Sequence, residues 1–487
     1  MPATPTCDTL IRGASLLDGS GAPAERLDLA ITGDRIHSIG ANLRLETATV
    51  VEADGLCLAP GFIDTHTHDD LAVLRDPAMA PKITQGITTV VVGNCGISAS
   101  PVTLRGAVPD PMNLLGAAAE FRYPTFAAYQ EAVRAARPAV NVAALIGHTA
   151  LRNNHMDRLD RAATSEEAAA MRAQLEEALH NGALGLSSGL AYLSANAAST
   201  EELLALARPL GVVGGIYATH MRSESDAILD AMEEAFTIGR ETGAPVIISH
   251  LKCAGIDQWG RSEEVLHKLD AARLSQPVGC DCYPYAAGSS TLDLRQVDER
   301  VTITVTWSDP HPEAAGRALA EVAAQWSLSQ IETAQRLQPA GAIYHSISED
   351  DMRRILGHPA TMIGSDGLPC DPRPHPRLWG TFPRVLGRYA REQKLFSLAE
   401  AIRKMTAMPA QRFGLEARGC LREGNFADLV LFDPQRILDR ATFADPIQHS
   451  EGIVAVWVNG VLSCTSENPA SGRSGQFLRR GRTKWIQ

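Results

Sequence analysis

The sequence predicts an α/β fold: a (β/α)8 TIM-like barrel joined to a small β-sandwich domain that is built from both chain termini. Two observations predict this fold class. Through the middle of the chain, eight apolar runs of strand length alternate with stretches of helical period, which is typical of parallel βα units. Alternating segments with Gly, Asp and Asn at their turns flank this middle part, at 8–51 and 424–463, and they indicate β-hairpins.

These patterns also predict the domain boundaries. The small β domain comprises 1–56 and 415–487, and the catalytic barrel comprises 57–414, inserted into it. Residues 286–360 are too many for an ordinary barrel connection, so we expect an inserted lid or module over the barrel mouth. The predicted barrel strands are CLAPGFIDTHTH (57–68), TTVVVGNCG (88–96), VAALIGHT (142–149), ALGLSSGL (183–190), GGIYATHMR (214–222), PVIISHLK (245–252), PVGCDCYPY (277–285) and TMIGSDG (361–367).

Helices fit between several of these strands. The clearest is SEEAAAMRAQLEEALHNG, which we expect to be capped by Ser165 and to end at Gly182, because Ser is a preferred N-cap and Gly a preferred C-terminal residue.

Composition excludes several classes of partner. The chain has 45 Lys and Arg against 56 Asp and Glu, a formal net charge of −11 over 487 residues, and no basic run. It therefore lacks the electrostatic footprint of a nucleic-acid or membrane-surface protein, and we expect a small-molecule ligand. There is no apolar run of membrane-spanning length and no targeting signal. The nine cysteines form no regular framework, so we expect a cytoplasmic protein with reduced thiols. Nothing here indicates the oligomeric state.

Polar residues of one chemical kind fall at the ends of five predicted strands. Residues two apart in a strand face the same side, so His66 and His68 are expected to point into the barrel together. Imidazoles and a thiolate suit Zn²⁺, and a catalytic zinc keeps one position open. The candidate ligands and the accompanying carboxylate are His66, His68, Cys95, His220, His250 and Asp366.

Each of these residues alone also has an ordinary structural explanation. A single His at a strand end is usually a satisfied polar residue, and a single Cys in an apolar strand usually belongs to the core. Asp366, in the turn SDG, also fits a helix N-cap. The constellation favours a metal site, because active sites of such barrels lie at the carboxyl ends of the strands.

The same motifs resemble the amidohydrolase superfamily. The resemblance rests on APGFIDTHTH, on the histidines of strands five and six, on SDG in strand eight and on the closing GNFADLVLFDP. Most members with two metals carry a lysine at the end of strand four, whereas ALGLSSGL has none. The cysteine in VVGNCG is instead similar to the N-acyl-D-amino-acid deacylases, as are SHLKCAG, CDCYPYAAGSSTL, SDGLP and HPRLWGTFPRVLGRY.

This resemblance implies roles for the cluster. Cys95, His220 and His250 would hold a tight zinc, and His66 and His68 would form a weaker second site. The remaining carboxylate, in SDG, would be the catalytic acid/base. The chemistry agrees, because amide hydrolysis needs a polarised carbonyl, an activated water and a proton for the leaving nitrogen.

An N-acyl amino acid also presents a free α-carboxylate. Candidates for a clamp are Lys252, Tyr283, Ser289 and Arg377, which follow the sixth, seventh and eighth strands. Arginine binds a carboxylate in bidentate fashion, and Lys and Tyr suit a closing role. Each is equally explained as an ordinary surface or capping residue.

Arg295 lies in the same region, in SSTLDLRQ. A guanidinium in the side-chain pocket would select an acidic substrate, with glutamate favoured, as in an N-acyl-D-glutamate-specific branch. The alternative is a solvated arginine, or one paired with Asp293 or Asp298.

Two other functions are open. A cyclic-amide hydrolase of the hydantoinase or dihydropyrimidinase kind is disfavoured by the missing strand-four lysine. A non-catalytic scaffold with the same fold is disfavoured because every candidate ligand and the strand-eight aspartate are present.

Overall fold

The computed structural model describes residues 6–468 and 472–485. Each of the eight predicted barrel runs contains a strand, and neighbouring barrel strands pair in parallel. The third barrel strand is interrupted at Leu145, so it is formed by two short pieces. The strands are Phe62–Asp64, Ile87–Val92, Asn141–Ala144 with Ile146–Gly147, Gly185–Gly189, Ile216–His220, Val246–Ile248, Val278–Cys282 and Thr361–Ile363.

Hydrogen bonds connect the two parallel sheets at both of their junctions. The amide of Leu184 donates to the carbonyl of Ala144 at 2.8 Å between strands three and four. Between strands one and eight, the Thr65 hydroxyl donates to the carbonyl of Ile363 at 2.9 Å. Strands one and eight thus lie side by side where strand one begins its run of candidate ligands, although their named ranges form no β-ladder with each other.

The first predicted barrel run divides into two strands that serve different sheets. Cys57–Pro60 pairs with Leu429–Phe432 and with Thr6–Leu16 in the sheet of the chain termini, and only Phe62–Asp64 enters the barrel. The predicted boundary at residue 57 thus falls before a strand of the terminal sheet. The sheet order is Val461–Thr465, Ile453–Val458, Leu429–Phe432, Cys57–Pro60, Thr6–Leu16, Glu25–Thr32 and Arg35–Gly40, with Glu46–Glu52 beside Thr6–Leu16.

The last described segment leaves the terminal sheet and runs along the barrel. Phe477 forms an isolated parallel bridge with Val142 of the third barrel strand, and the Arg480 amide donates to the carbonyl of Gly182. The predicted division into 1–56 with 415–487, 57–414 and the insert 286–360 stays a prediction.

The predicted insert region contains a small antiparallel sheet with its own core. Strand Ala340–Tyr344 lies between Gly288–Thr291 and Ile303–Ser308, and helices Leu319–Trp326 and Gln330–Leu337 pack against it. The following helix, Glu349–Gly357, packs instead beside Ser262–Arg273 and leads into the last barrel strand. That helix is an ordinary barrel helix by position.

The other helices lie mainly between the strands. The predicted cap of the helix Ser165–His180 is wrong by one residue, because the Thr164 hydroxyl, not Ser165, accepts from the Glu167 amide at 3.2 Å. Among the described helices, none combines the length and the apolar character that crossing a membrane requires. The remaining helices are Ala72–Arg75, Ala80–Ile83, Phe126–Ala136, His148–His155, Thr200–Val213, Ile228–Thr242, Arg377–Arg384 continued by a π-helical Val385–Glu392, Leu398–Met405 and Ala407–Phe413.

A fully buried lysine, Lys82, contacts residues at the ends of strands one and eight. The Lys82 ammonium lies 2.8 Å from Asp64 Oδ2 and 3.2 Å from Asp69 Oδ2. It also donates to the hydroxyls of Thr67 and Ser365, each at 2.9 Å. One cation therefore ties the segment that carries His66 and His68 to the segment that carries the strand-eight aspartate.

We expect Lys82→Met to lower the free energy of unfolding by about 3–5 kcal/mol, because removing one partner leaves buried carboxylates uncompensated. Denaturant titration measures this. The matched control is Lys268→Met, which breaks the exposed pair of Lys268 with Glu233 at 2.9 Å and should change stability by less than about 1 kcal/mol. Equal losses in the two variants would contradict a central role for Lys82.

Candidate active site

A cavity of about 660 Å³ opens at the carboxyl ends of the barrel strands. Its wall includes four of the predicted cluster residues, namely His68, His220, His250 and Asp366. Cys95 and His66 are 1% and 0% exposed. The predicted ligands form two neighbouring groups that share His250. One group contains His66, Cys95, His250 and Asp366, and the other contains His220, His250 and Glu224.

Three of these residues have left-handed backbones just after their strands. The φ angles are +53° at Cys95, +36° at His250 and +49° at Asp366. Such angles are uncommon for residues with a Cβ, and they cluster at functional sites where the surroundings enforce them. Two of these turns are held by hydrogen bonds: the His250 amide donates to Asp281 Oδ1 at 2.8 Å, and the Asp366 amide donates to the His66 carbonyl at 2.7 Å.

Cys95 lies at the centre of the cluster. Its Sγ is 3.1 Å from His66 Nε2 and 3.2 Å from His250 Nε2. Burial alone would raise the pKa of this thiol, but the imidazoles of His66 and His250 hold the pKa well below its ordinary value. A buried thiolate between imidazoles is a strong ligand for a soft or borderline metal.

Asp366 lies against the other side of the cluster. Its Oδ1 is 3.2 Å from His68 Nε2 and 3.6 Å from His66 Nε2. Although burial lowers the pKa of His68, the hydrogen bond to Asp366 and the thiolate of Cys95 raise it to about 9. His66 is further held by Asp281, whose Oδ1 is 3.4 Å from His66 Nδ1.

The second oxygen of Asp366 pairs with a buried arginine. Arg377 Nη1 lies 2.8 Å from Asp366 Oδ2. Burial would raise the pKa of Asp366, but the guanidinium and the surrounding imidazoles hold it well below its ordinary range. The N-cap explanation does not apply, because the next helix begins only at Arg377.

His220 and His250 face a residue that the sequence analysis did not single out. Glu224 Oε1 is 2.9 Å from His250 Nδ1, and Glu224 Oε2 is 3.6 Å from His220 Nε2. Lys252 Nζ, predicted to bind substrate, lies 2.6 Å from Glu224 Oε1. Burial raises the pKa of this carboxyl, yet Lys252 and the two imidazoles hold it well below its ordinary value.

The residues present fit a zinc ion. The ligand atoms of His66, Cys95, His250 and Asp366 lie within 4.8 Å of one another and all four residues are buried. His220 Nδ1 is buried without a hydrogen-bond partner among the described residues. One thiolate with several imidazoles is the donor set that Zn²⁺ prefers.

The structure brings three of the predicted clamp residues together. The Arg377 guanidinium lies 4.6 Å from the centre of the Tyr283 ring and donates to the Ser289 carbonyl at 2.9 Å. The Tyr283 hydroxyl is buried and has no partner in the described part of the chain, and burial raises its pKa to about 12. The Ser289 hydroxyl donates to the Ala342 carbonyl at 3.1 Å, so Ser289 contributes its backbone.

Arg295 lines the cavity but carries its own counter-charge. Its Nε and Nη2 contact Asp293 at 3.0 and 2.6 Å, and Nη2 also donates to the Ala191 carbonyl at 3.0 Å. This pair with Asp293 is the alternative that the sequence left open, and selection of an acidic substrate by Arg295 stays a prediction. Nη1 makes no hydrogen bond within the described residues.

Three further residues at the site escaped sequence analysis. Asp281 supports both His66 and the His250 turn, and the Tyr192 ring lies 4.8 Å from the His220 ring. Asp281 stands between two cysteines in CDC, and Glu224 follows His220 by four residues in a loop. The spacing of four residues between His220 and Glu224 was the one sequence signal that could have indicated their contact.

A family model described as the amidohydrolase family matches residues 49–463. The chain is 50% identical to a D-aminoacylase from Alcaligenes xylosoxydans xylosoxydans, covering 97% of this chain and 98% of that protein. It is also 50% identical to an N-acyl-D-aspartate deacylase from that organism, covering 97% and 95%. A solved N-acyl-D-glutamate deacylase from Bordetella bronchiseptica, complexed with zinc and a phosphonate inhibitor that mimics the tetrahedral intermediate, matches with a TM-score of 0.93 and 44% identity, covering 97% and 100%.

These similarities extend over nearly the whole chain, and they confirm the predicted fold class and the prediction of a hydrolytic enzyme. The chain belongs to the amidohydrolase family, in the group that contains D-aminoacylases and N-acyl-D-amino-acid deacylases.

Proposed function

We propose that the protein hydrolyses the amide bond of N-acyl-D-amino acids, releasing a carboxylate and a free D-amino acid. The observation that carries the proposal is the buried cluster of Cys95, His66, His250 and Asp366 beside a cavity of about 660 Å³. The D configuration is supported by the relatives, two of which are a D-aminoacylase and an N-acyl-D-aspartate deacylase.

The proposed cofactor is zinc, with one tight site and a weaker second site. Cys95, His220 and His250 would hold the tight ion, and His66 and His68 would hold the weaker one. A zinc ion there supplies Lewis acidity toward the amide carbonyl and activation of water. This ligand assignment agrees with the donor types present, since thiolate and neutral imidazole are the softest donors in the barrel mouth.

Asp366 is the proposed general base and acid. Its Oδ1 faces His68 and His66 while its Oδ2 is held by Arg377, so the carboxylate is fixed in orientation and is kept deprotonated. In that state it can take a proton from water and pass it to the departing nitrogen, a step typically worth about 10²–10⁴-fold in rate.

The proposed anchor for the substrate α-carboxylate is the pocket of Arg377, Tyr283 and Lys252. The buried Tyr283 hydroxyl has no partner among the described residues, and the two cations lie 4.6 and 5.9 Å from its ring centre. Ser289 supports Arg377 through its carbonyl. A hydroxyl without a hydrogen-bond partner, next to two cations, is well placed to bind a carboxylate.

A panel of N-acetyl- and N-formyl-D- and L-amino acids, with a hydantoin as the cyclic-amide control, tests the function. We expect turnover of the linear D-substrates alone. Hydantoin turnover would favour the cyclic-amide alternative, and no turnover by zinc-loaded protein would favour a non-catalytic scaffold.

We also propose a cytoplasmic location and no nucleic-acid or membrane partner. All nine cysteines are free thiols in the structure, as expected for a protein of a reducing compartment.

We expect Cys95→Ala to lose the tight zinc and most activity, because the variant lacks the only thiolate in the cluster. Metal analysis of dialysed protein, together with the deacylation rate, checks this. The control is Cys282→Ala, which removes another buried barrel thiol. Stoichiometric zinc and wild-type rates in Cys95→Ala would show that the ligand assignment is wrong.

Asp366→Asn should keep its zinc and its fold while kcat falls by about 10²–10⁴-fold, because an amide accepts hydrogen bonds but does not shuttle a proton. Zinc content and steady-state kinetics are measured on the same preparation. Near-normal kcat in this variant would assign the proton transfer to another group.

The preference for N-acyl-D-glutamate stays a prediction, and it depends on Arg295. If Nη1 contacts an acidic side chain, Arg295→Leu should lower kcat/KM for N-acyl-D-glutamate relative to N-acyl-D-leucine by about tenfold, the lower end for a charge-assisted contact because Asp293 already shares the charge. Arg300→Leu is the matched control, since Arg300 pairs with Asp298 in the same way and also with Asp257. A wild-type enzyme that prefers N-acyl-D-leucine would contradict the preference and leave the deacylase proposal intact.

A further inference from the structure

Glu224 contacts the outer nitrogens of two predicted metal ligands at once. Its Oε1 lies 2.9 Å from His250 Nδ1, and its Oε2 lies 3.6 Å from His220 Nε2. The Glu224 side chain is only 11% exposed. Its backbone is fixed as well, because the Ala254 amide donates to the Glu224 carbonyl at 2.8 Å.

The contacts around His250 determine where its proton lies. Nε2 faces the Cys95 sulfur at 3.2 Å, so in a neutral imidazole that coordinates a metal through Nε2 the proton is on Nδ1. Lys252 Nζ is 2.9 Å from that Nδ1, but an ammonium has no lone pair to accept a hydrogen bond. Glu224 Oε1 is therefore the acceptor for the His250 Nδ1–H.

His220 presents the opposite nitrogen to the same carboxylate. Its Nε2 faces Glu224 Oε2, while its Nδ1 is buried with no hydrogen-bond partner among the described residues. The two imidazoles thus need opposite tautomers, with protons on His250 Nδ1 and His220 Nε2. The two oxygens of one carboxylate lie beside both N–H groups, at hydrogen-bond distance from His250 Nδ1 and at a longer ion-pair distance from His220 Nε2.

We propose that Glu224 is a positioning residue that fixes the tautomers and ring orientations of His220 and His250, leaving His220 Nδ1 and His250 Nε2 free for a metal ion. A carboxylate on the outer nitrogen of a metal-binding histidine orients the ring and raises its basicity. Lys252 supplies the counter-charge for Glu224 at 2.6 Å. The inference rests on the metal site proposed above.

Glu224→Gln is the main test. A glutamine offers one acceptor oxygen and one NH₂ donor, so one of the two imidazole N–H groups loses its partner. We expect zinc affinity, measured by competition with a chelator, to fall by about 10–100-fold. In nitrogen-15 spectra of the zinc-loaded protein, the protected His250 Nδ1–H and His220 Nε2–H signals of the wild type should be lost or exchange faster.

Glu234→Gln is the matched control. Glu234 is a similarly buried carboxylate, 12% exposed, that pairs at 2.7 Å with Arg222, a residue of the cavity wall. This variant breaks a comparable ion pair without changing a histidine contact, so we expect wild-type zinc affinity.

The double variant Glu224→Gln with Lys252→Met separates orientation of the histidines from charge balance. If Glu224 served only to neutralise Lys252, removing both charges would restore zinc affinity to the wild-type value, and the proposal would be overturned. We expect the double variant to stay weak. Unchanged affinity in Glu224→Gln alone would also overturn the proposal, while stoichiometric zinc in the wild type would leave the metal site standing. A wild-type protein that holds no zinc would overturn the metal site and this inference together.

Discussion

The buried ammonium of Lys82 is the interaction on which the rest of the site depends. Backbone hydrogen bonds join the segments that follow strands one and eight, from the Asp366 amide to the His66 carbonyl at 2.7 Å and from the His68 amide to the Gly367 carbonyl at 3.1 Å. Lys82 adds a charged bridge between the same segments by contacting Asp64, Asp69 and the Ser365 hydroxyl. Asp64 Oδ1 in turn accepts from the Ser365 amide at 2.8 Å. Because a buried ion pair tolerates little displacement, this bridge fixes the distance between the histidines of strand one and the aspartate of strand eight.

Around the metal-ligand cluster, each charged side chain has a neighbour of opposite charge. Asp281 supports His66, and Arg377 holds Asp366. Such compensation is required, because each isolated charge would be costly at this depth. The left-handed turns are held by hydrogen bonds of their own amides, from Asp366 to the His66 carbonyl and from His250 to Asp281. Asp281 therefore serves both the charge pairing of His66 and the strained turn at His250.

Sequence patterns revealed what is encoded locally and missed what is made by distant contacts. The strands and Cys95 could be predicted, because apolar runs and polar residues at their ends are visible in the order of the residues. Lys82 gave no such signal: its partners include Ser365, which is 283 positions away, and its own helix is only four residues long. Asp281 is the one charged residue in the buried strand Val278–Cys282, and a single acidic residue in an apolar strand does not identify its partner. The pairing of Arg295 depends on a rotamer that no sequence pattern specifies.

The same cations that are predicted to bind substrate are already engaged with acidic groups of the site. Arg377 contacts Asp366 at 2.8 Å, and Lys252 contacts Glu224 at 2.6 Å. A substrate carboxylate that contacts either cation must share it with that acidic group, and the second negative charge then repels the first. Sharing Arg377 weakens its hold on the Asp366 carboxylate and strengthens the affinity of Asp366 for a proton. Occupancy of the proposed clamp and basicity of the proposed catalytic carboxylate are thus linked through one guanidinium, and an amide without an α-carboxylate lacks that link.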